Sequence, residues 1–439
     1  MARHRADSDG AGLPLLCVIA LAGGVAIGFV GGAFRWCLQV ADRWRVDLLG
    51  WAERAPGPGW LVPVAVTALG AALAAAIVRT VPLASGSGIQ HVEAVARGEA
   101  APPPLRVVPA RFVGGLLSIG SGLVLGREGP TVHMGATIGA AAGRAGHLPD
   151  DDMRLSQSVV AGAGLAVAFN APIGGALFVV EEVTKSLALR VVVPALVAVT
   201  AAVSCSRLVL GDHPDFTVDL GAAPTVVWLP LFALFGLATG ILGALYNRAV
   251  LGFLAAADLL RRVPRVVVAA AVGAVVGLLL VLDPFTAGGG DAVTHRILDG
   301  DGVVLTTAAG LLLIRFVAGP LSYAAGTPGG LFAPLLAVGA LWGVLFAGVT
   351  DTVLPSGTTV PVVPFALAGM VAFFGATVRA PVTGIVLVTE MTATATLTVP
   401  MAAATAAAVL VAHLVGSLPI YDSLRQRMER TDVRSTTAE

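Results

Sequence analysis

Residues 126–130 read Gly-Arg-Glu-Gly-Pro, and residues 330–334 read Gly-Leu-Phe-Ala-Pro. Each stretch precedes an apolar run in which small residues recur at matching places, for example at Gly135 and Gly339. Glycine and proline therefore interrupt the apolar sequence at corresponding points of two halves. This pattern predicts an internal duplication, and such paired interruptions are typical of transporters that bind their substrate at the interface between two repeats.

Two further pairs of motifs extend the duplication. Gly86-Ser87-Gly88 corresponds to Gly288-Gly289-Gly290, and the segment from Asn170 to Glu181 corresponds to the segment from Arg379 to Glu390. All matches follow the same order at nearly constant spacing, which makes chance a poor explanation. We therefore predict five parts: a cytoplasmic tail at 1–12, a first membrane repeat at 13–212, a linker at 213–225, a second membrane repeat at 226–425 and a cytoplasmic tail at 426–439.

The composition indicates that these repeats lie in a lipid bilayer. The chain has 439 residues, of which 56% are hydrophobic and 12% are charged, whereas soluble domains carry about 25% charged residues. Its formal net charge of zero gives no reason to expect nucleic acid as a partner. The 54 glycines and 27 prolines fall within apolar stretches, where membrane helices tolerate them. The sequence thus predicts an all-α polytopic membrane protein.

The apolar runs differ in length. A full crossing needs about 20 apolar residues; the run 13–34 meets this length and is the expected first membrane helix, whereas 112–125 and 131–146 are too short. We expect the short runs to form half-helices or re-entrant segments. Arginines precede the first run, at Arg3 and Arg5, and also follow the last run. The positive-inside rule then predicts two cytoplasmic termini, which agrees with the even number of crossings that inverted repeats produce.

Three glycine-containing segments, 86–89, 126–130 and 330–334, stand where helices could begin. A helix N-terminus presents unpaired backbone N–H groups and a partial positive charge, which suit an anion that has lost its water. Glycine permits close approach of the backbone, and proline fits the first helical turn. Ser87 adds a hydroxyl donor to one segment. These features predict an anion-binding site built from helix N-termini.

Glu128 places a carboxylate among these donors. A carboxylate at an anion-binding helix terminus competes with the anion, and protonation removes the competitor, so that proton binding would control anion passage. A glutamate at this position can also serve only to stabilise the helix N-terminus. Because acids within membrane segments are by default functional, we predict that Glu128 is the gate.

Other charged residues near apolar segments receive less specific interpretations. Glu181 and Glu182 end a long apolar run. They can form a membrane-edge pair that faces water, or one of the two adjacent residues can face the protein interior. His91 and His133 fit no metal-ligand spacing, and no hydrolase or nucleotide-binding motif occurs, so we expect neither a metal, nor a cofactor, nor enzymatic activity. Structural ion pairs are the favoured interpretation for four further charged residues: Glu93, Arg111, Arg315 and Glu390.

At these motifs the sequence resembles the CLC family of chloride channels and chloride/proton antiporters. The resemblance covers the three glycine-containing segments, continues through Phe169-Asn170-Ala171-Pro172 and Arg379-Ala380-Pro381, and reaches Tyr421. It implies the CLC fold, with two inverted-topology repeats and broken or re-entrant helices. It also implies a homodimer with one pathway in each subunit, located in the cell inner membrane or plasma membrane.

The resemblance further implies a set of chloride ligands. Ser87 and Tyr421 would coordinate chloride through their hydroxyl groups at a central site, and the backbone N–H groups of Leu331 and Phe332 would complete that site. The backbone N–H groups from Arg127 to Gly129 would serve an outer site. Chloride and protons are therefore the expected partners of this protein, together with the lipid bilayer.

Two glutamates receive roles in proton movement from the same resemblance. Glu128 would be the external gating glutamate, and Glu182 would be the inner proton-transfer glutamate of the antiporters. Because channel members usually lack an acid at the second position, we predict a secondary active transporter that exchanges chloride for protons. The alternatives are a passive chloride channel gated by voltage or pH, and an exporter of nitrate or fluoride.

Two positions depart from the family pattern. Gln90 stands where the first signature usually has proline, beside the central site, and leaves the preferred anion open. Arg111 stands where lysine is frequent, which keeps the charge but changes its geometry.

Overall fold

The structure, a computed structural model, describes residues 11–218, 224–300, 303–355 and 360–436. Arg3 and Arg5 lie outside these ranges. Within them the chain forms seventeen α-helices: α1 Leu13–Arg54, α2 Leu61–Thr80, α3 Ile89–Ala96, α4 Val107–Gly120, α5 Glu128–Ala145, α6 Asp150–Phe169, α7 Pro172–Phe178, α8 Leu189–Leu210, α9 Leu229–Leu259, α10 Arg265–Leu282, α11 Asp291–Leu298, α12 Leu305–Ala324, α13 Phe332–Val353, α14 Val362–Val378, α15 Pro381–Thr392, α16 Thr398–Leu414 and α17 Ile420–Thr436. The prediction of an all-α fold is confirmed.

Seven helices in the described ranges are long and apolar enough to cross a membrane: α1, α2, α8, α9, α10, α12 and α13. Four apolar helices are shorter, namely α4, α14, α15 and α16. Helix α1 begins at Leu13 but runs well past residue 34, to Arg54. Its 42 residues correspond to about 63 Å of helix, roughly twice the hydrocarbon thickness of a bilayer. Helix α1 must therefore tilt or project from the membrane.

Glycines bring equivalent helices together in the two halves. Gly24 of α1 lies against Ala198 of α8, where a Cβ atom on the glycine would stand 2.5 Å from the alanine carbonyl oxygen. Gly240 of α9 lies against Ala408 of α16, and a Cβ atom there would also stand 2.5 Å from the carbonyl oxygen. Helices in membranes pack by such close backbone approach. The high glycine content therefore serves the helix packing, in both repeats.

The two halves meet at a pair of equivalent glycines. Gly126 donates to the carbonyl oxygen of Gly330 at 2.8 Å, and Gly330 donates back to that of Gly126 at 2.7 Å. When equivalent residues contact each other in this reciprocal way, the parts that carry them are related by a two-fold axis. Such an axis relates the two predicted repeats and passes close to this glycine pair.

The same exchange occurs between two helix N-termini. The carboxylate of Glu181 accepts hydrogen bonds from the backbone N–H groups of Val382 and Thr383 in the first turn of α15, at 3.1 and 2.7 Å. The carboxylate of Glu390 accepts two from the first turn of α7, at 3.0 and 2.8 Å. Each half therefore caps a helix of the other half. Glu390 acts as a cap and forms no ion pair with the described residues, so the ion pair expected for it is wrong.

Two buried arginines hold equivalent segments in the two halves. Arg111 donates to three carbonyl groups in segment 83–86, and Arg315 donates to three in segment 285–288. Within the described ranges neither guanidinium forms an ion pair, so the ion pairs expected for both arginines are wrong. Their carbonyl contacts fix the loops that precede α3 and α11.

The predicted boundaries stay predictions, but the helices around them can be described. Helix α8 ends at Leu210, and the linker includes residues 219–223, which lie outside the described ranges. Earlier in the linker, Phe216 donates its backbone N–H to the carbonyl oxygen of Met391 at 2.9 Å. Helix α17 continues through the boundary expected at residue 425 and ends at Thr436.

Candidate anion-binding site

The N-termini of α5 and α13 meet beside the glycine pair on the two-fold axis. Helix α5 begins at Glu128 and helix α13 begins at Phe332, each two residues after one of the paired glycines. Helix α3 begins at Ile89, next to Ser87. All three expected helix starts are confirmed. Their first turns carry the unpaired N–H groups that a partly dehydrated anion requires.

The Glu128 side chain is fully buried between the two helix starts. The backbone N–H of Phe332 donates to Glu128 Oε1 at 2.6 Å, and Oε2 has no hydrogen-bond partner among the described residues. A Cβ atom on Gly126 would stand 2.6 Å from the carboxyl carbon, so only glycine leaves room for the carboxylate at that position. The carboxylate therefore occupies the N-terminus of α13, where a negative group is favoured.

Two buried hydroxyl groups lie close to Glu128. Ser87 and Tyr421 are both fully buried, and neither hydroxyl has a hydrogen-bond partner in the described part of the chain. The Tyr421 hydroxyl lies within interaction range of Ser87 and of the Glu128 carboxylate, and its ring packs against Phe332 at 5.5 Å between centroids. Buried polar groups are nearly always paired in proteins. Two free donors in one place suit a ligand that accepts hydrogen bonds.

Gly129 and Tyr323 determine where Ser87 stands. A Cβ atom on Gly129 would lie 2.6 Å from Ser87 Oγ, so the glycine permits this approach. The backbone N–H of Ser87 donates to the hydroxyl of Tyr323 at 3.3 Å. Sequence reasoning missed Tyr323, although the chain has only three tyrosines and this one shortly precedes the third glycine motif.

Arg127 turns its side chain away from the helix start. Its guanidinium donates to Asp291 Oδ2 at 2.8 Å and to the carbonyl oxygen of Ala168 at 2.9 Å, and it pairs with Asp215 at 3.4 Å. Asp215 also pairs with Arg35. The two carboxylates offset the two arginine charges. Arg127 therefore offers the site its backbone at the start of α5 rather than a free positive charge.

Glu182 lies in a turn of π-helix over Val179–Val183, directly after α7. A hydrogen bond of 2.8 Å from the Thr184 N–H to the Val179 carbonyl oxygen closes this turn. Such turns are frequent at functional sites. The Glu182 side chain is 4% exposed, whereas the adjacent Glu181 reaches α15. The expectation that one glutamate of the pair faces the interior is confirmed.

Glu93 is the buried neighbour of Glu182. It is 1% exposed, it interacts with Glu182, and both of its carboxyl oxygens lack hydrogen-bond partners within the described ranges. The ion pair expected for Glu93 is wrong. This second acid was assigned no function from the sequence because only the folded chain brings α3 beside the π-helical turn.

Two cavities reach the region of the site. One, of about 530 Å³, is lined by residues of α1, of the linker and of α11, including Arg127 and Asp215. The other, of about 470 Å³, is lined by the loop around Gly86 together with Gln90, Tyr323 and residues of α17. The first cavity contacts Arg127, the residue before Glu128. The second contacts Gly86 and Gly88, on either side of Ser87.

Comparison with known proteins supports the interpretation of these motifs. The model of the voltage gated chloride channel family matches residues 69–413. The H(+)/Cl(-) exchange transporter ClcA of Vibrio parahaemolyticus is 36% identical over 425 residues, which cover 95% of this chain and 90% of that protein. The protein of the same name from Cronobacter sakazakii is 34% identical over 446 residues, covering 97% and 92% of the two chains.

Solved structures give the same result. A slow cyanobacterial Cl-/H+ antiporter superposes with a TM-score of 0.88 and 30% identity, covering 94% of this chain and 98% of that one. A CLC-type fluoride/proton antiporter superposes with a TM-score of 0.74 and 22% identity, covering 93% and 97% of the two chains, and shares the fold. The chain therefore has the CLC fold and belongs to the voltage gated chloride channel family.

Proposed function

We propose that this protein is a secondary active transporter that exchanges chloride for protons. One observation carries the proposal: the Glu128 carboxylate accepts a hydrogen bond from the Phe332 N–H at 2.6 Å, at the helix start where an anion would bind. The relatives named as H(+)/Cl(-) exchange transporters and the superposable antiporter structure at 30% identity support it.

Competition between the carboxylate and chloride couples the two movements. Ionised Glu128 holds the N-terminus of α13 and excludes another anion. Protonation removes the charge that the helix start favours, so chloride then binds there in place of the carboxylate. Chloride binds at the helix start more readily when Glu128 is protonated. By linkage, a proton binds Glu128 more readily when chloride occupies that position.

The chloride ligands follow from this exchange. Ser87 and Tyr421 donate their hydroxyl groups at the central site, and Leu331 and Phe332 donate backbone N–H groups. The backbone from Arg127 to Gly129 serves the outer position. Donors without full charges bind the anion while still permitting its release, and the ion pairs of Arg127 keep its charge engaged elsewhere.

Glu182 transfers protons between the cytoplasmic side of the membrane and Glu128. Its burial and its neighbour Glu93 support this assignment, since two acids close together can hold and pass a proton.

The protein lies in the cell inner membrane as a homodimer with a pathway in each subunit. Both termini are cytoplasmic, consistent with the arginines Arg425 and Arg427 on α17.

Reversal potentials in liposomes under opposed chloride and pH gradients test this function. Wild type should show a reversal potential that depends on both gradients. Glu128→Gln should still pass chloride but move no protons, because an amide keeps the shape and cannot ionise. Glu53→Gln, at an exposed position of α1, is the matched control and should behave as wild type. A wild-type potential that follows the chloride gradient alone would identify a passive channel instead.

Gln90 is the reason to consider another anion. It lines the second cavity and its carboxamide lies near the Tyr323 hydroxyl beside Ser87, so an amide donor stands where the family signature has proline. Flux ratios for chloride, nitrate and fluoride, measured in wild type and in Gln90→Pro, decide whether this residue changes the preferred anion.

A further inference from the structure

The duplication supplies an internal comparison for Arg111. Arg111 and Arg315 hold equivalent carbonyl groups, but their Nε atoms differ. Arg111 Nε donates to His133 Nδ1 at 3.0 Å, whereas Arg315 Nε has no hydrogen-bond partner in the described part of the chain. Ala337 occupies the place of His133 in the second half: Gly88 packs on His133, and Gly290 packs on Ala337. The carbonyl contacts of the arginine therefore form without an imidazole.

The imidazole of His133 belongs to a series of hydrogen-bonded buried side chains. His133 Nε2 lies 3.1 Å from His91 Nδ1. Arginine has only donors, so His133 accepts at Nδ1, carries its proton on Nε2 and donates to His91. Arg111 and His133 are fully buried and His91 is 6% exposed. His91 lines the cavity of about 470 Å³ beside Gln90. This series of hydrogen-bonded side chains connects α4, α5 and α3, with each group donating to the next.

The orientation of the Arg111 side chain affects the position of Ser87. The terminal nitrogens of Arg111 hold the carbonyl groups of segment 83–86, which leads directly into Ser87. Gly88, with a φ of 85°, packs on both the guanidinium and His133. Because the guanidinium donors form one rigid planar fork, a hydrogen bond at Nε constrains its orientation in addition to the bonds at the two terminal nitrogens. In the second half Gly289 stands in the place of Ser87, so no side-chain ligand there needs to be oriented.

We propose that His133, supported by His91, is a positioning residue for the Ser87 hydroxyl in the anion site. The bond to Arg111 Nε fixes the guanidinium, the guanidinium fixes the loop, and the loop fixes the hydroxyl. The inference rests on the proposed function in one respect, namely that Ser87 binds the transported anion.

Chloride binding to the purified full-length protein, measured by titration calorimetry, tests the inference. His133→Leu should bind chloride about tenfold more weakly, because a hydrogen bond to a charged buried donor is lost. His133→Gln keeps an acceptor for Arg111 Nε and should restore binding close to wild type. The exposed His413→Leu is the control. In a Ser87→Ala background His133→Leu should have no further effect, because contacts that act through one group are not additive.

The outcomes separate the possible failures. Wild-type affinity in a folded His133→Leu protein, or an undiminished loss in the Ser87→Ala background, overturns the inference alone. If His133→Leu does not fold, His91→Leu is tested instead, both in the otherwise wild-type protein and in the Ser87→Ala protein. A loss of chloride affinity that disappears with Ser87→Ala supports the inference, and unchanged affinity overturns it. A wild-type protein that binds no chloride would overturn the proposed function itself.

Discussion

At the scale of single residues, Tyr421 shows how a group can serve a ligand rather than the fold. Its hydroxyl has no hydrogen-bond partner among the described residues, so Tyr421→Phe breaks no hydrogen bond within that part of the chain. We expect Tyr421→Phe to weaken chloride binding several-fold while thermal unfolding in detergent stays close to wild type. Tyr246 is a matched control, since its buried hydroxyl is also unpaired and lies on α9. Equal losses of chloride affinity in both variants would contradict the assignment.

Glu182 and Glu181 allow an equally close comparison. Glu182 is buried, and Glu181 caps α15. Glu182→Gln should retain chloride binding and impair proton coupling, because an amide cannot carry the proton onward. Glu181→Gln should retain proton coupling. Parallel measurements of chloride and proton flux in liposomes check both variants, and normal coupling in Glu182→Gln would contradict the proposed role.

The sequence singles out Glu128 for a physical reason, whereas the choice of Glu182 over Glu181 came from the resemblance to the CLC family. A carboxylate inside an apolar run is costly in a membrane, so it stands out from its neighbours in the sequence alone. Three of the partners of Arg111 could not be found in this way, because they are carbonyl groups that carry no side-chain signal. Tyr323 was missed, and Glu93 was expected only in an ion pair, since their neighbours come from distant parts of the chain.

At the scale of elements, glycine and proline positions predicted the starts of α3, α5 and α13, because these residues end one segment and admit the next. The length of α1 was not predictable in the same way. Its second half, up to Arg54, carries charged residues between apolar ones, so the apolar run ends near residue 34 although the helix continues almost to the Pro/Gly cluster at 56–59. The π-helical turn at Glu182 likewise depends on the packing of α7 and has no signature in the sequence.

The exchanged caps of α7 and α15 give a prediction for two elements. Glu181→Gln and Glu390→Gln each remove a charged acceptor from two backbone N–H groups. Each variant should lose about 1–1.5 kcal/mol of stability, because the amide oxygen still accepts but a hydrogen bond to a neutral acceptor is weaker than one to a charged acceptor. The loss should be the larger for Glu181→Gln, because the Glu181 carboxylate also accepts from the Thr383 hydroxyl at 2.7 Å. Thermal unfolding in detergent measures them, with exposed Glu53→Gln as the control. A loss in only one variant would contradict the prediction that both caps stabilise the protein.

At the scale of the whole molecule, the duplication itself was predictable and its geometry was not. Three motif pairs, with the small residues that recur at matching places after Pro130 and Pro334, identify the repeats in the sequence. That Gly126 pairs with Gly330 across a two-fold axis depends on how the halves dock. Family membership is confirmed by the match over residues 69–413, and the boundaries of the two repeats stay predictions.

The docked halves should depend on each other for stability. A protein ending at residue 218 leaves the Glu181 carboxylate and the first turn of α7 without their partners, and unpaired polar groups are costly in a bilayer. We expect residues 1–218 expressed alone to be degraded, and co-expression with residues 219–439 to restore both fragments. Protein levels in membranes measure this, with full-length protein as the reference. Stable accumulation of the first fragment alone would contradict the prediction.

The caps exchanged between α7 and α15 also set an order of events during synthesis. The ribosome delivers the first half before α15 exists, so α7 enters the membrane with its N-terminus open. Until translation reaches Glu390, the nascent chain is an incomplete substrate that the insertion machinery or a chaperone must shield. Codon changes or pauses within the second half would therefore lengthen the period in which membrane proteases recognise the chain, without altering the mature protein.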